Sequence, residues 1–382
     1  MDRTTAIQTM NPEPAAADAA RRGEILGVQY LRFLAAFSVV YFHTGVLNPD
    51  FAWPRWIPRE FGAFGVDLFF VISGFVMMLV TAGKDAEPVS FLMRRIERIA
   101  PFYWGATLFA AAVGAIYPSA MIANKVDLTH VSLSLVFLPH VNPARGTITP
   151  FYGIGWTLNF EMYFYFVFAL MLALLKSPGQ RVLGLIVWCA VGSSLFGAFD
   201  PQIPIIRVYT NPMMVEFVAG AAIGWAYGRG FIQRIPAGAA FALVGIAAPV
   251  IVSSVVSDES RILVQGSAAV ATLCGALALE ARGFMPRWRW ALLLGDATYA
   301  IYLVHPMTLS ASRVFTKALH IPVERAIVGI PSVVLLTALS VGAGVLIHLW
   351  IERPMLAWFH RERQARQAKH SAAILRSSVG GA

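Results

Sequence analysis

Apolar runs of about 20 residues, the length that crosses a bilayer as a helix, recur along the chain. They fall at 27–47, 63–82, 99–118, 152–175, 181–199, 213–228, 236–254, 263–281, 291–312 and 326–351. In hydrocarbon the backbone has to satisfy its own hydrogen bonds, which leaves helices as the solution for runs of this kind. The expected fold is all-α, a polytopic membrane bundle of about ten transmembrane helices. Composition agrees: 57% of residues are hydrophobic and 13% charged, where a soluble chain carries about 25% charged. The run 129–139 is too short to span and holds His130, Pro139 and His140, which marks a re-entrant or interfacial piece.

Charge sets the orientation. With the N-terminus in the cytosol, 20 of the 30 Lys and Arg residues fall on that side, 9 fall outside, and Arg32 lies within a span. That excess predicts two cytoplasmic termini. It also assigns the net charge of +9 to membrane topology, so no nucleic-acid partner is expected. Residues 1–24, polar and Ala-rich, read as a disordered cytosolic tail without a cleavable signal. Residues 25–355 read as one membrane domain, and 356–382 as a basic cytosolic tail that grazes anionic lipid. Cys189 and Cys274 lie in apolar segments and serve packing. The histidines lack ligand spacing, and no metal site is expected.

Ionisable residues inside the runs are the candidates for function, because at that depth they face a bundle interior or a wet cavity. Arg32 and His43 are eleven residues apart in the first span, which returns to within roughly 20° of one helical face, about 16 Å along it. The second span enters from the outer side through GVDLFFVISGF (65–75), so Asp67 is expected at a depth comparable to His43. A carboxylate there fixes the imidazole tautomer and makes a better base. Ser73-Gly74 in the same stretch read as close helix packing. Arg94, Arg95 and Arg98, ahead of the third span, signal topology and also form a cradle suited to phosphates. The fourth span runs inward through GWTLNFEMYFYF (155–166) and supplies Trp156, Asn159, Glu161 and Tyr165, the last one turn below the acid. Glu161 is expected in the outer half, placed to share protons with His43 or to grip a substrate hydroxyl. In the ninth, Tyr302 precedes His305, and Pro306 frees backbone carbonyls toward a cavity.

Taken in order, these segments resemble the integral-membrane acyltransferase-3 family. The resemblance rests on Arg32 with His43, GVDLFFVISGF, the pair Arg94-Arg95 with Arg98 ahead of IAPFYW, GWTLNFEMYFY, YAIYLVHP (299–306) and IERP (351–354). It covers Gly27 to Pro354. The segment NFEMYFY, which lacks a second acid after Glu161, is most similar to the exopolysaccharide acetyltransferase branch. The resemblance implies a multi-pass enzyme of the bacterial inner membrane. Such an enzyme transfers an acyl group, commonly acetyl, from cytosolic acyl-CoA to a hydroxyl of a surface or exported polysaccharide.

On that reading Arg32, Arg94, Arg95 and Arg98 grip the phosphate-rich donor. His43 serves as base or transient acyl acceptor, assisted by Asp67 and Glu161. Trp156, Asn159, Tyr165, Tyr302 and His305 are candidates for holding the acceptor, a glycan or lipid-linked saccharide. Membrane lipids and polysaccharide biosynthesis machinery are the other expected partners. The competing classes are a proton-coupled transporter or lipid-linked glycan flippase, with His43, Asp67 and Glu161 as a proton relay, and a non-catalytic scaffold.

Overall fold

The first helix, α1 (Leu26–Leu47), begins without a capping side chain of its own. In the computed structural model, which describes residues 25–53, 62–82, 86–117, 126–196, 203–252 and 262–379, the missing partner comes from far along the chain. Glu280 accepts the Leu26 N–H on Oε1 at 2.7 Å and the Gly27 N–H on Oε2 at 2.8 Å. Free N–H groups at a helix start need such a partner, and the helix dipole favours an anionic one. The predicted tail 1–24 and the loop cations Arg55, Arg59, Lys84, Lys125 and Arg261 lie outside the described residues.

Helices follow one another along the rest of the chain. They are α2 (Phe64–Val80), α3 (Pro88–Ile116), the short α4 (Leu128–Leu135), α5 (Trp156–Leu174), α6 (Pro178–Phe196), the short α7 (Pro204–Tyr209) and α8 (Met214–Gly228). Next come α9 (Ala237–Val252), α10 (Ser267–Ala281), α11 (Arg289–Asp296), α12 (Thr298–Ala318), α13 (Ala326–Ile347) and α14 (Arg353–Val379). Among the described residues the single β contact is a bridge between Val141 and Ile148. Among the described residues, five helical stretches are long and apolar enough to cross a membrane: Leu26–Leu47, Pro88–Ile116, Gly153–Leu174, Leu263–Ala281 and Ala326–Arg366. Phe64–Val80 and Ala237–Ala248 are shorter apolar helices.

Two departures from the expected layout bear on the site. The triplet Arg94, Arg95 and Arg98 belongs to α3 itself, which starts at Pro88 and runs through Pro101. Glu87 caps it, accepting from the Val89 and Ser90 N–H groups at 3.1 and 2.6 Å. Those hydrogen bonds hold the exposed Glu87 carboxyl below its ordinary value. The second departure is at the far end, where residues 353–379 form the helix α14 directly after a π-turn, His348–Glu352.

Long-range bonds sort the helix ends. Leu26 meets Glu280, Arg181 donates to the Thr81 carbonyl at 3.0 Å, Arg282 donates to that of Ile235, and Arg363 pairs with Glu97. These contacts define one end of the bundle, rich in arginine. At the other, the Ala52 N–H donates to the Val323 carbonyl at 2.9 Å.

The tightest helix contact joins α2 to α8 through glycines. A Cβ on Gly74 would lie 1.9 Å from the Phe217 carbonyl oxygen, and one on Gly220 would lie 1.9 Å from that of Val71. Backbones approach this closely only where side chains are absent. Gly220→Val is expected to force the pair apart and to cost at least about 1–3 kcal/mol, as overpacking does. A fall in the melting temperature of the detergent-solubilised protein measures the loss.

Candidate functional site

Ionisable side chains drawn from five helices converge at the arginine-rich end. α1 places Arg32 there, α3 places Arg94, Arg95 and Arg98, and α5 places Glu161 with Tyr165. These groups and Tyr302 of α12 line one cavity of about 520 Å³, which Leu356, Phe359, His360 and Arg363 of α14 also wall. A larger cleft, about 730 Å³, opens between α5, α6 and α8, but its lining is mainly apolar. Charge therefore singles out the smaller space.

Each arginine is set by its helix. Arg98 lies four residues from Arg94 and three from Arg95, and those spacings put neighbours on one helical face. Arg32 donates to Gln29 Oε1 at 3.1 Å, one turn earlier, and the Gln29 amide donates on to Asp296 at 2.7 Å. That relay ties α1 to the end of α11 and holds the guanidinium toward the cavity.

Glu161 is the acid among these cations. Its polar surroundings are the Arg98 and Arg32 guanidiniums and the Tyr165 and Ser73 hydroxyls. Tyr165 and Ser73 meet each other at 3.1 Å. Ser73 thus faces the site as well as standing beside the packed Gly74. Tyr302 donates to the Ile154 carbonyl at 2.7 Å and meets the Thr157 hydroxyl at 2.7 Å, so α12 is pinned to the start of α5.

Beyond Tyr302 stand two imidazoles. The His305 ring lies 5.8 Å from that of Tyr302 and 4.9 Å from that of His43. His43 Nδ1 is 3.0 Å from the Val39 carbonyl, and His305 Nδ1 is 3.3 Å from that of Ile301. A carbonyl only accepts, so in each neutral ring Nδ1 carries the proton and Nε2 keeps the lone pair. His305 is fully buried, and its Nε2 has no hydrogen-bond partner among the described residues.

Neither His43 nor His305 lines the cavity, and the remaining sequence candidates also lie off its wall. Asp67 is fully buried in the first turn of α2, where the helix dipole favours a negative charge. The α1–α2 contact sets Gly62 beside Ser38 and Phe42, and Gly65 beside Ala35 and Ser38. Asp67 therefore lies inward of His43, where comparable depth was expected, and a backbone carbonyl occupies the Nδ1 that the carboxylate was expected to orient. Trp156 packs its ring edge-on to Phe160. Asn159 is buried with its Oδ1 unpartnered among the described residues.

Several residues at the site were not singled out from sequence. Tyr299 donates to the Ile99 carbonyl at 2.6 Å and lines the cavity. Glu352 is fully buried and pairs with His348, Nδ1 to Oε2, at 2.7 Å. The wall supplied by α14 carries a legible signal, since Leu356, Phe359, His360 and Arg363 repeat at helical spacing. Outside the membrane helices, His130 and His140 touch through their rings, and burial with that neighbour pushes His130 below the ordinary histidine value.

Residues 25–349 match the family model of the acyltransferase domain. The exopolysaccharide production protein ExoZ of Rhizobium meliloti (strain 1021) is 36% identical over 306 residues, which is 77% of this chain and 90% of that protein. The acyltransferase MdmB of Streptomyces mycarofaciens is 28% identical over 339 residues, 81% of this chain and 85% of its own. No solved structure matches the chain.

Proposed function

Because the chain belongs to the integral-membrane acyltransferase-3 family, we propose that it moves an acetyl or similar short acyl group from cytosolic acyl-CoA to a hydroxyl of a surface or exported polysaccharide. The observation that carries the reading is the polarity of the site. Arginines crowd one cavity, Glu161 stands among them, and two imidazoles whose Nδ1 atoms face backbone carbonyls, leaving Nε2 unprotonated, lie past Tyr302. Arginine forks suit phosphates, and an imidazole with a free Nε2 suits a hydroxyl proton. The likeness to an exopolysaccharide production protein supports a glycan acceptor. The proposed topology has ten spans in the bacterial inner membrane, with both termini and the arginine-rich end cytosolic.

In the proposed reaction the donor's phosphates sit against Arg32, Arg94, Arg95 and Arg98, with the thioester directed up the cavity. His43 Nε2 takes the proton of the acceptor hydroxyl as its oxygen attacks the thioester carbonyl. The carbon–sulfur bond breaks, and the proton passes to the departing thiolate. An ester and free CoA result, with no change of oxidation state. Tyr302, His305, Trp156 and Asn159 are the proposed acceptor contacts, and Asp67 steadies α1 from the start of α2.

The test is turnover by the purified full-length protein in detergent, given acetyl-CoA and an oligosaccharide of the host's surface polysaccharide. Free thiol and ester-linked acetyl are expected to appear in equal amounts. Proton-driven uptake of saccharide into vesicles, with acyl-CoA left intact, would overturn the reading in favour of a transporter.

A further inference from the structure

We propose that the start of the C-terminal helix is part of the donor site, with Arg363 contacting a phosphate of the nucleotide head of acyl-CoA and His360 beside it. The inference rests on the reading of the arginine-lined cavity as the acyl-CoA site. It extends that site to a segment beyond the 25–349 match to the acyltransferase domain.

Three observations carry it. First, Leu356, Phe359, His360 and Arg363 wall the same cavity as the α3 arginines. Their spacing puts them on one face of α14, where Leu356, Phe359 and Arg363 are half-buried while His360 and most of the surrounding stretch, Met355 apart, are exposed. A tail lying on lipid would have no reason to turn this face inward.

Second, Arg363 meets Glu97, the acid that lies between Arg95 and Arg98 on α3. Nε stands 3.3 Å from Oε2, with the side chains 33% and 19% exposed. Neither of those two atoms has a well-directed hydrogen bond among the described residues. The pair is held by charge alone, which leaves the rest of the guanidinium fork for a ligand. Arginine forks and phosphate oxygens match in geometry.

Third, the charge balance favours an anion more strongly when α14 is counted. Glu97 and Glu161 both face the cavity and repel phosphate. Arg363 offsets Glu97 and leaves the four arginines of α1 and α3 against a single acid. Coenzyme A is highly anionic, its phosphomonoester alone carrying about −1.5 to −2, so a fifth cation at the mouth has a partner.

The experiment measures binding of CoA, 3′-dephospho-CoA and S-acetylpantetheine to the full-length protein in detergent, for wild type, Arg363→Gln, Arg363→Lys and Glu97→Gln. Arg363→Gln is expected to weaken CoA binding about tenfold, in line with loss of a hydrogen bond to a charged group. It should leave acetylpantetheine, which has no phosphate, unchanged, and Arg363→Lys should recover part of the loss. Glu97→Gln is expected to tighten CoA binding, because it removes a competing anion. A persistent loss with dephospho-CoA assigns the contact to the diphosphate, and a vanished one assigns it to the 3′-phosphate.

Unaltered CoA binding in Arg363→Gln overturns the inference while the donor reading stands. So does an equal loss with acetylpantetheine, or weakening by Glu97→Gln to match Arg363→Gln, since each makes the pair a structural latch. If wild type binds none of the three, the donor reading falls, and this inference with it.

Discussion

Replacing His43 with alanine is expected to lower acyl transfer about 10²- to 10⁴-fold, the range over which positioned general bases act. The argument starts from the tautomer. Val39 fixes the proton on Nδ1, so the nitrogen left basic is the one able to reach an acceptor hydroxyl. The ring is half-buried and its recorded partners are the rings of Phe42 and His305, so its removal should leave the bundle folded. The comparison is of initial thiol-release rates at saturating acetyl-CoA and oligosaccharide, with monodispersity on size exclusion as the folding control. His305→Ala is expected to cost less alone. The double variant should be little worse than His43→Ala, because residues acting as a unit are not additive. A His43→Ala rate within threefold of wild type would remove the base assignment.

Periodicity and charge made much of this molecule readable in advance. Runs of apolar residues predict helices because a bilayer allows little else, and the described helices follow most of those runs, with 291–312 divided between α11 and α12. The grouping of Arg32 with Arg94, Arg95 and Arg98 was legible for a related reason: ionisable groups in apolar helices have to find one another or water. Glu161, expected in the outer half beside His43, instead shares the cavity with those arginines.

What the sequence hid depends on angles and register. The proximity of His43 to His305 joins helices that are more than 250 residues apart in the chain, and no spacing rule connects them. Asp67 was placed level with His43 by counting residues from a membrane face, whereas the Gly62 and Gly65 contacts slide α2 along α1 and set it inward. The C-terminal segment misled through its composition. Its arginines read as a lipid-facing tail, while the thin apolar stripe that docks it beside α3 was outweighed by the charges around it.

Glu161→Gln gives the second large expected effect, and its sign separates two roles for the acid. The change keeps the shape of the side chain and removes one of the two negative charges from a cavity in which arginines outnumber acids. Removing an acid there cannot weaken the binding of an anionic donor, so KM for acyl-CoA is expected to stay constant or to fall. The rate constant is expected to drop about a hundredfold if the carboxylate handles a proton or orients the acceptor hydroxyl, again the scale of a positioned acid–base group. Tyr165 and Ser73, whose hydroxyls lie beside the carboxylate, keep a carbonyl acceptor in the amide, so the local polar contacts survive in part. Arg98 and Arg32 lose their counter-charge, and the unliganded variant should melt lower than wild type. Added CoA should close much of that gap, because its phosphates restore negative charge to the cavity and ligand binding stabilises the native state. Steady-state kinetics and melting curves with and without CoA test all three expectations. A raised KM with kcat intact would make Glu161 a donor-positioning group and take it out of the chemistry.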